Sequence, residues 1–202
     1  MTASSAPRSQ DEAPDERVVL LDESARAIGT ADKLLVHDTC TRLHLAFSCY
    51  LFDHDGNVLV TRRALSKATW PGTWTNSFCG HPQPGEAIED AVRRRGGQEL
   101  GVALEDLRVV DADFRYRASD SSGIVENEVC PVYRATVSGE ISANAHEVMD
   151  WTWTHPAALS KATTLTPFAF SPWMVLQMPS LMSTTATGGG GGLANNFRSP
   201  GT

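Results

Sequence analysis

Between Asn76 and Glu86 the sequence runs NSFCGHPQPGE, which sets a thiol, Cys79, two residues before an imidazole, His81, and seven before a carboxylate, Glu86. Further along, GIVENEVCP carries Glu126 and Glu128 with one residue between them. Side chains alternate along a strand, so these two carboxylates share a face with Ile124 and Cys130. Carboxylates on such a face are costly to bury unless something positive neutralises them. An exposed polar face is the plain alternative, since carboxylates mostly lie on surfaces. A metal site, an acid/base pair, or both would be the functional one.

Three of the six histidines, His37, His44 and His81, join this set, and His44 lies on the minority face of an otherwise apolar run. One such histidine is usually a hydrogen-bonded structural residue. Three of them with two glutamates suit a borderline divalent ion, and five ligands point towards octahedral rather than closed tetrahedral geometry. A free cysteine is most often simply buried. Cys79, beside Gly80 and His81 in a polar loop, is instead expected to be accessible and to have a lowered pKa. Arg62, Arg63 and Lys67 read either as a solvated strand edge or, with Lys33 and Arg95, as a clamp for an anion such as phosphate. Trp70, Trp74 and Trp173 fit a core, and Trp173, in the first turn of a helix, could equally wall a pocket.

The elements that must position these groups follow from periodicity. Residues 18–21 read as a short strand, and residues 41–52 alternate Leu43, Leu45, Phe47, Cys49 and Leu51 against His44, Ala46, Ser48 and Tyr50, a strand with one apolar face. The turn signal DHDGN and the run VLVTRR complete a hairpin. A short strand is expected near residues 74–78, then a helix over residues 86–100 that Gly101 stops. Strands are predicted at residues 107–117, 123–137 and 150–154, with a short helix after Pro156. Ser171-Pro172 reads as an N-cap followed by proline at the first helical position, opening a last helix through Gln177. Strands before, between and after helices imply an α+β fold, a mixed β-sheet sandwich flanked by helices.

The ends differ. Residues 1–16 are rich in Ser, Pro, Asp and Glu without hydrophobic period and read as a disordered arm, and residues 183–202, with five consecutive glycines, as a flexible tail. One folded domain is expected over residues 17–182. The formal charge of −7, from 17 basic and 24 acidic residues, argues against nucleic acid or an anionic membrane as partner. Apolar runs fall short of the roughly 18–20 residues that span a bilayer, and no secretory signal is visible, so a soluble cytoplasmic protein is expected. The four cysteines form no Cys-x-x-Cys pair and read as reduced thiols.

The segments LLVHDT, TRLHLAFSCYLF, LVTRRALSK, WPGTWTNSFCGHPQPGE, FRYRASDSSGIVENEVCPV and FAFSPWMV together resemble the type I isopentenyl-diphosphate isomerases, a branch of the Nudix superfamily, over residues 18–177. The Nudix pattern itself can be laid on Gly80, Glu86 and Arg94 through Val102, but it is eroded: Arg95 and Gln98 stand where glutamates are expected, and Gly96 where a hydrophobic residue is. Nudix pyrophosphohydrolases use that carboxylate cluster to hold metals, so the erosion disfavours the alternative, hydrolysis of a nucleoside diphosphate derivative, and leaves isomerisation standing.

The resemblance implies one divalent ion, Mn²⁺ or Mg²⁺ with Zn²⁺ as an option, on His37, His44, His81, Glu126 and Glu128. It also implies a second, Mg²⁺, held by Glu99 against the substrate diphosphate. Lys33, Arg63, Lys67 and Arg95 would contact that diphosphate, Cys79 and Glu128 would be the catalytic pair with Tyr116 assisting Glu128, and Trp173 would face the reacting alkene. The partner is thus a small-molecule diphosphate, and the chain a monomer or homodimer. Gly96-Gly97 in mid-helix costs roughly 1 kcal/mol each relative to alanine, which predicts a locally looser helix and weakens the expectation for Arg95.

Overall fold

The computed structural model describes residues 16–187. The predicted N-terminal arm, apart from Glu16, and the tail from residue 188 onward lie outside the described residues, whereas residues 183–187, expected in the flexible tail, are helical. Twelve strands form two mixed sheets, with a helix against each face of the larger one. The smaller sheet has the order β2 (Ala27–Asp32), β1 (Arg17–Leu21), β3 (His44–Leu45), β10 (Val125–Val129), β9 (Arg115–Ser119). The larger has β12 (Val148–Thr154), β5 (Val58–Arg63), β4 (Phe47–Phe52), β11 (Val132–Thr136), β8 (Glu105–Asp111), with β6 (Trp74–Thr75) on β5 and β7 (Phe78–Gly80) on β4. The helices are α1 (Ile88–Leu100), α2 (Pro156–Leu165) and α3 (Pro172–Thr187).

The single strand expected over residues 41–52 is two strands in different sheets, broken at Ala46, and the one expected over residues 123–137 is likewise broken at Cys130-Pro131. Proline cannot donate to a ladder, so a break there is natural. The two breaks coincide. Glu128 lies opposite His44 and Val129 opposite Leu45, and three residues on in both strands Val132 lies opposite Ser48, so a parallel ribbon crosses between sheets without slipping register. Two backbone bonds, Ala46 N–H to Val129 O and Ser48 N–H to Pro131 O, hold it through the crossing.

β4 also differs from expectation in being buried on both faces. Phe47, Cys49 and Leu51 pack with Ala91, Val92 and Leu100 of α1, whereas Tyr50 and Phe52 pack with Trp173, Met174 and Leu181 of α3. Alternation therefore sorts residues between two cores rather than between core and water. The segment expected at residues 107–117 is likewise divided, by a turn between β8 and β9, and β2 was not anticipated.

β4 and β5 pair at Phe52 and Val58 and then diverge, and residues 74–80 fill the opening. Buried Ser77 splices the gap: its hydroxyl accepts from Leu51 N–H and donates to Leu59 O, both at 2.7 Å. This wedge carries Cys79 and ends at Gly80, where a Cβ would stand 2.8 Å from Arg95 Cγ and 2.9 Å from Phe47 Cζ. Only glycine lets β7 approach α1 this closely.

α1 starts at Ile88, leaving Glu86 in the preceding turn, and it stops where expected, with Gly101 left-handed at φ 68°. No loosening is seen at Gly96-Gly97; the helix is continuous there. A Cβ on Gly96 would stand 3.3 to 3.4 Å from Leu104 and Phe78, so close packing offsets the propensity cost. α3 continues past Gln177 and Met182 to Thr187, and the Ser171 hydroxyl bonds Thr75 Oγ1 at 2.8 Å.

Candidate active site

His44 on β3 faces Glu128 on its parallel neighbour β10, and Tyr116 on β9 is the cross-strand partner of Glu128 on the other side. His37, from the loop before β3, and His81, just after β7, close on the same point. One ligand atom from each of His37, His44, His81 and Glu128 lies within 4.8 Å of the others. His44 Nε2 is 3.5 Å and His81 Nε2 3.2 Å from Glu128 Oε1, while His37 Nε2 is 3.1 Å from Glu126 Oε2. Four of the five expected ligands therefore converge, and Glu126 lies beside the group, against His37.

Whether an ion fits can be judged from unmet bonding. Among the described residues, the buried side-chain atoms with no hydrogen bond are His37 Nε2, His44 Nε2, His81 Nδ1 and Glu126 Oε2, all in this cluster. Buried polar atoms are normally satisfied, and such a concentration of orphans is what a divalent cation would resolve. Second contacts fix the donors: the His44 Nδ1 side bonds Arg42 O at 2.9 Å, and Thr69 Oγ1 donates to Glu126 Oε1 at 2.7 Å. Burial pushes the His81 imidazole down to about 3, the neutral form a metal needs. Burial alone would raise Glu128, but the adjacent His44 and His81 imidazoles outweigh it and hold the carboxylate well below its usual range.

Cys79 is partly exposed and its Sγ donates to Asn76 Oδ1 at 3.2 Å. The expectation of a lowered pKa is wrong. Burial pushes the thiol up to about 11, its contacts with Ser48 and Asn76 oppose this only in part, and the charge of Glu128 adds to the rise. The thiol thus keeps its proton at neutral pH. Tyr116 is also raised well above the usual phenol range, first by burial and then by the charge of Glu128.

Trp173 is 2% exposed and packs against Trp70 and Tyr116, with ring centroids 5.3 Å and 5.8 Å away, while the Arg63 guanidinium lies 5.4 Å from its ring centre. Cys79 packs in the same cluster as Trp70, Tyr116 and Trp173, and Tyr116 is the strand partner of Glu128.

The cations expected to grip a diphosphate already have partners. Arg63 bonds Thr69 O and Oγ1, Lys33 pairs with Glu16, and Lys67 and Arg95 both pair with Glu147. Lys33 and Arg95 line one small cavity with His81 and Arg94. Buried Arg95 also holds buried Glu99 through Nε at 2.9 Å, and burial raises the Glu99 carboxyl. Glu86 is gripped by Arg94 through two bonds of 2.7 and 2.8 Å. Both surviving Nudix carboxylates are thus tied to arginines. Both Arg95 bonds fall on Glu99 Oε1, which leaves Oε2 outside the pairing.

Glu147, Thr69, Ser48 and Asn76 were missed by sequence reasoning. Asn76 and Ser48 lie inside motifs already noticed, but their burial beside the Cys79 thiol leaves no mark in the local sequence. Glu147, in the run HEVMD, carried none.

A family pattern described as NUDIX domain matches residues 42–174. The chain is 56% identical over 174 residues to a protein named Isopentenyl-diphosphate Delta-isomerase from Leifsonia xyli subsp. xyli, covering 85% of this chain and 94% of that one. A protein of the same name from Agromyces mediolanus is 57% identical over 162 residues, covering 80% and 79%, and one from Salmonella heidelberg is 55% identical over 163 residues, covering 81% and 90%. A solved structure from Deinococcus radiodurans superposes with TM-score 0.64 at 20% identity, covering 81% of this chain and 98% of that one, which speaks for the fold alone. The chain belongs to the Nudix family, in its isopentenyl-diphosphate Delta-isomerase group.

Proposed function

We propose that this protein is an isopentenyl-diphosphate Delta-isomerase, interconverting isopentenyl and dimethylallyl diphosphate by moving a carbon–carbon double bond one position. One observation carries the choice over pyrophosphate hydrolysis: both oxygens of Glu86 are bound by Arg94, and Arg95 and Gln98 stand where glutamates are expected, while the Cys79 thiol packs in one cluster with Trp173 and with Tyr116, the strand partner of Glu128. A hydrolase needs a cluster of free carboxylates for its metals, which Glu99 alone does not supply; an isomerase needs the thiol and the carboxylate.

An unactivated alkene is a poor base, so protonating it makes a tertiary carbocation that must be shielded from water. Cys79 and Glu128 serve as the two proton-transfer groups, one delivering a proton to the terminal methylene and the other removing one from the allylic carbon, with roles exchanged in reverse. Tyr116, beside Glu128 across the strand pair, assists that carboxyl. The Trp173 indole offers a cation–π face worth up to roughly 2 kcal/mol when desolvated. Lys33, Arg63, Lys67 and Arg95 orient the diphosphate, which requires Lys67 and Arg95 to exchange Glu147 for phosphate oxygens.

His37, His44, His81, Glu126 and Glu128 would hold Mn²⁺ or Mg²⁺, and Glu99 a Mg²⁺ shared with the diphosphate. Bound there, the ions supply positive charge that fixes Glu128 and neutralises the diphosphate. The same reading takes the protein as cytoplasmic, a monomer or homodimer, with neither nucleic acid nor membrane as partner. Among the described residues no helix is long and apolar enough to cross a membrane.

Incubation with isopentenyl diphosphate and Mg²⁺ in heavy water should give dimethylallyl diphosphate carrying deuterium. A folded, metal-loaded sample that yields none, or that instead releases phosphate products from a nucleotide panel, would overturn the proposal.

A further inference from the structure

The Cys79 thiol sits at the end of a buried polar network that neither the metal nor the diphosphate uses. Asn76, Ser48, Gln177 and Tyr50 are each 0% exposed. Asn76 Nδ2 donates to Cys49 O at 3.1 Å and Phe78 O at 2.7 Å, on β4 and β7. Turning the amide over would set its oxygen against two carbonyls, so Oδ1 must point the other way. There it receives Cys79 Sγ at 3.2 Å, Trp173 Nε1 at 2.9 Å and Thr75 Oγ1 at 2.9 Å. One carbonyl oxygen therefore holds both the thiol and the indole.

The second contact of the thiol is as tightly specified. Tyr50 OH donates to Gln177 Oε1 at 3.0 Å, which turns Gln177 Nε2 towards Ser48 Oγ at 2.9 Å. With that bond accepted, the one hydroxyl hydrogen of Ser48 is left to two sulfurs, Cys79 Sγ and Cys130 Sγ, each 3.4 Å away. A cysteine on a three-residue strand has several staggered rotamers open to it. An acceptor on one side and a hydroxyl on the other select one.

We propose that Asn76 and Ser48 are positioning residues for the Cys79 thiol, Asn76 setting its place relative to the Trp173 ring and Ser48, oriented by Gln177, holding the sulfur from behind. This deepens the isomerase reading and rests on it. The physical stake is large, because a misplacement of about 1 Å can cost about 100-fold in rate.

The test combines infrared spectroscopy of the S–H stretch, assigned to Cys79 by its loss in Cys79→Ala, with steady-state kinetics of Ser48→Ala and Ser48→Thr. In the unmodified protein the band should lie below the free-thiol frequency, a reading that needs no Ser48 variant to fold. Ser48→Ala should move the band and lower kcat about 10- to 100-fold with KM changed less than about twofold, and Ser48→Thr should restore both. A band at the free-thiol frequency, or Ser48→Ala with unaltered kcat and band, would overturn the inference. If the catalytic reading of Cys79 is what fails, the pattern differs: Cys79→Ala keeps turnover, and Ser48→Ala moves the band without touching kcat.

Discussion

His44 and Glu128 stand opposite each other on adjacent parallel strands, with His44 Nε2 3.5 Å from Glu128 Oε1, so one backbone register fixes a proposed metal donor against the proposed catalytic carboxylate. Because Glu128 serves both roles, Glu128→Gln should cost more than a pure base would. Turnover is expected to fall about 10⁴-fold, the upper end for a general acid or base, and divalent-ion affinity should fall with it. Steady-state kinetics and calorimetric titration of metal-free protein with Mn²⁺ check both halves.

Cys79→Ala separates chemistry from binding. The side chain is small and no cation of the diphosphate site bonds to it, so kcat should fall about 10²- to 10⁴-fold while the substrate Kd stays within a few-fold. Calorimetry with isopentenyl diphosphate on the inactive variant measures the second quantity, and near-native turnover would remove Cys79 from the pair.

Chelation should abolish activity, with Mg²⁺ or Mn²⁺ restoring it. It should also lower the melting temperature, since the orphaned atoms of His37, His44, His81 and Glu126 then stay unsatisfied, and the loss should reverse with added ion by mass action. A metal-free sample of full activity would eliminate the five-ligand site.

Glu147 gives stability a defined acid dependence. Burial works against its charge, but Lys67 and Arg95 outweigh burial and hold it down to about 2, from an ordinary 4.5. A folded pKa below the unfolded one means stability that is complete above about pH 4.5 and lost as pH falls through about 2. The gap corresponds to on the order of 3 kcal/mol. Urea unfolding at pH 6 and pH 3 should therefore show a smaller pH effect in Glu147→Gln than in the parent protein.

Gly80→Ala should be costly although the new group is one methyl. It would press on Arg95 and Phe47, and overpacking of this kind destabilises by about 1–3 kcal/mol. Because Arg95 must give way, substrate KM should rise as well, which kinetics on the folded fraction can show.

The residues that bear chemistry were legible because their types are expensive to place without a use: three histidines and two same-face glutamates, a thiol beside Gly80, an arginine where a glutamate belongs. The elements were legible where one period ran uninterrupted, as in α1. Reading failed where the cause was tertiary. Nothing local marks Ala46 as a crossing between sheets, since the alternation from Leu43 to Leu51 continues unbroken and both of its phases are buried. The thiol pKa was misjudged because the sequence displays its polar neighbours but not the packing that desolvates it. Asn76, Ser48 and Glu147 act through partners up to 129 residues away, a separation no pattern in the chain reports.

The unslipped ribbon that carries β3 into β4 and β10 into β11 restricts how this chain can change length. One residue inserted into either strand would turn Glu126 and Glu128, or His44 and Ser48, to the opposite face. Only matched insertions in both strands would preserve the site, and two independent events of that kind rarely coincide. Natural variation in length should therefore collect in turns such as residues 53–57 and 120–123, leaving these two segments the same length across descendants of the chain.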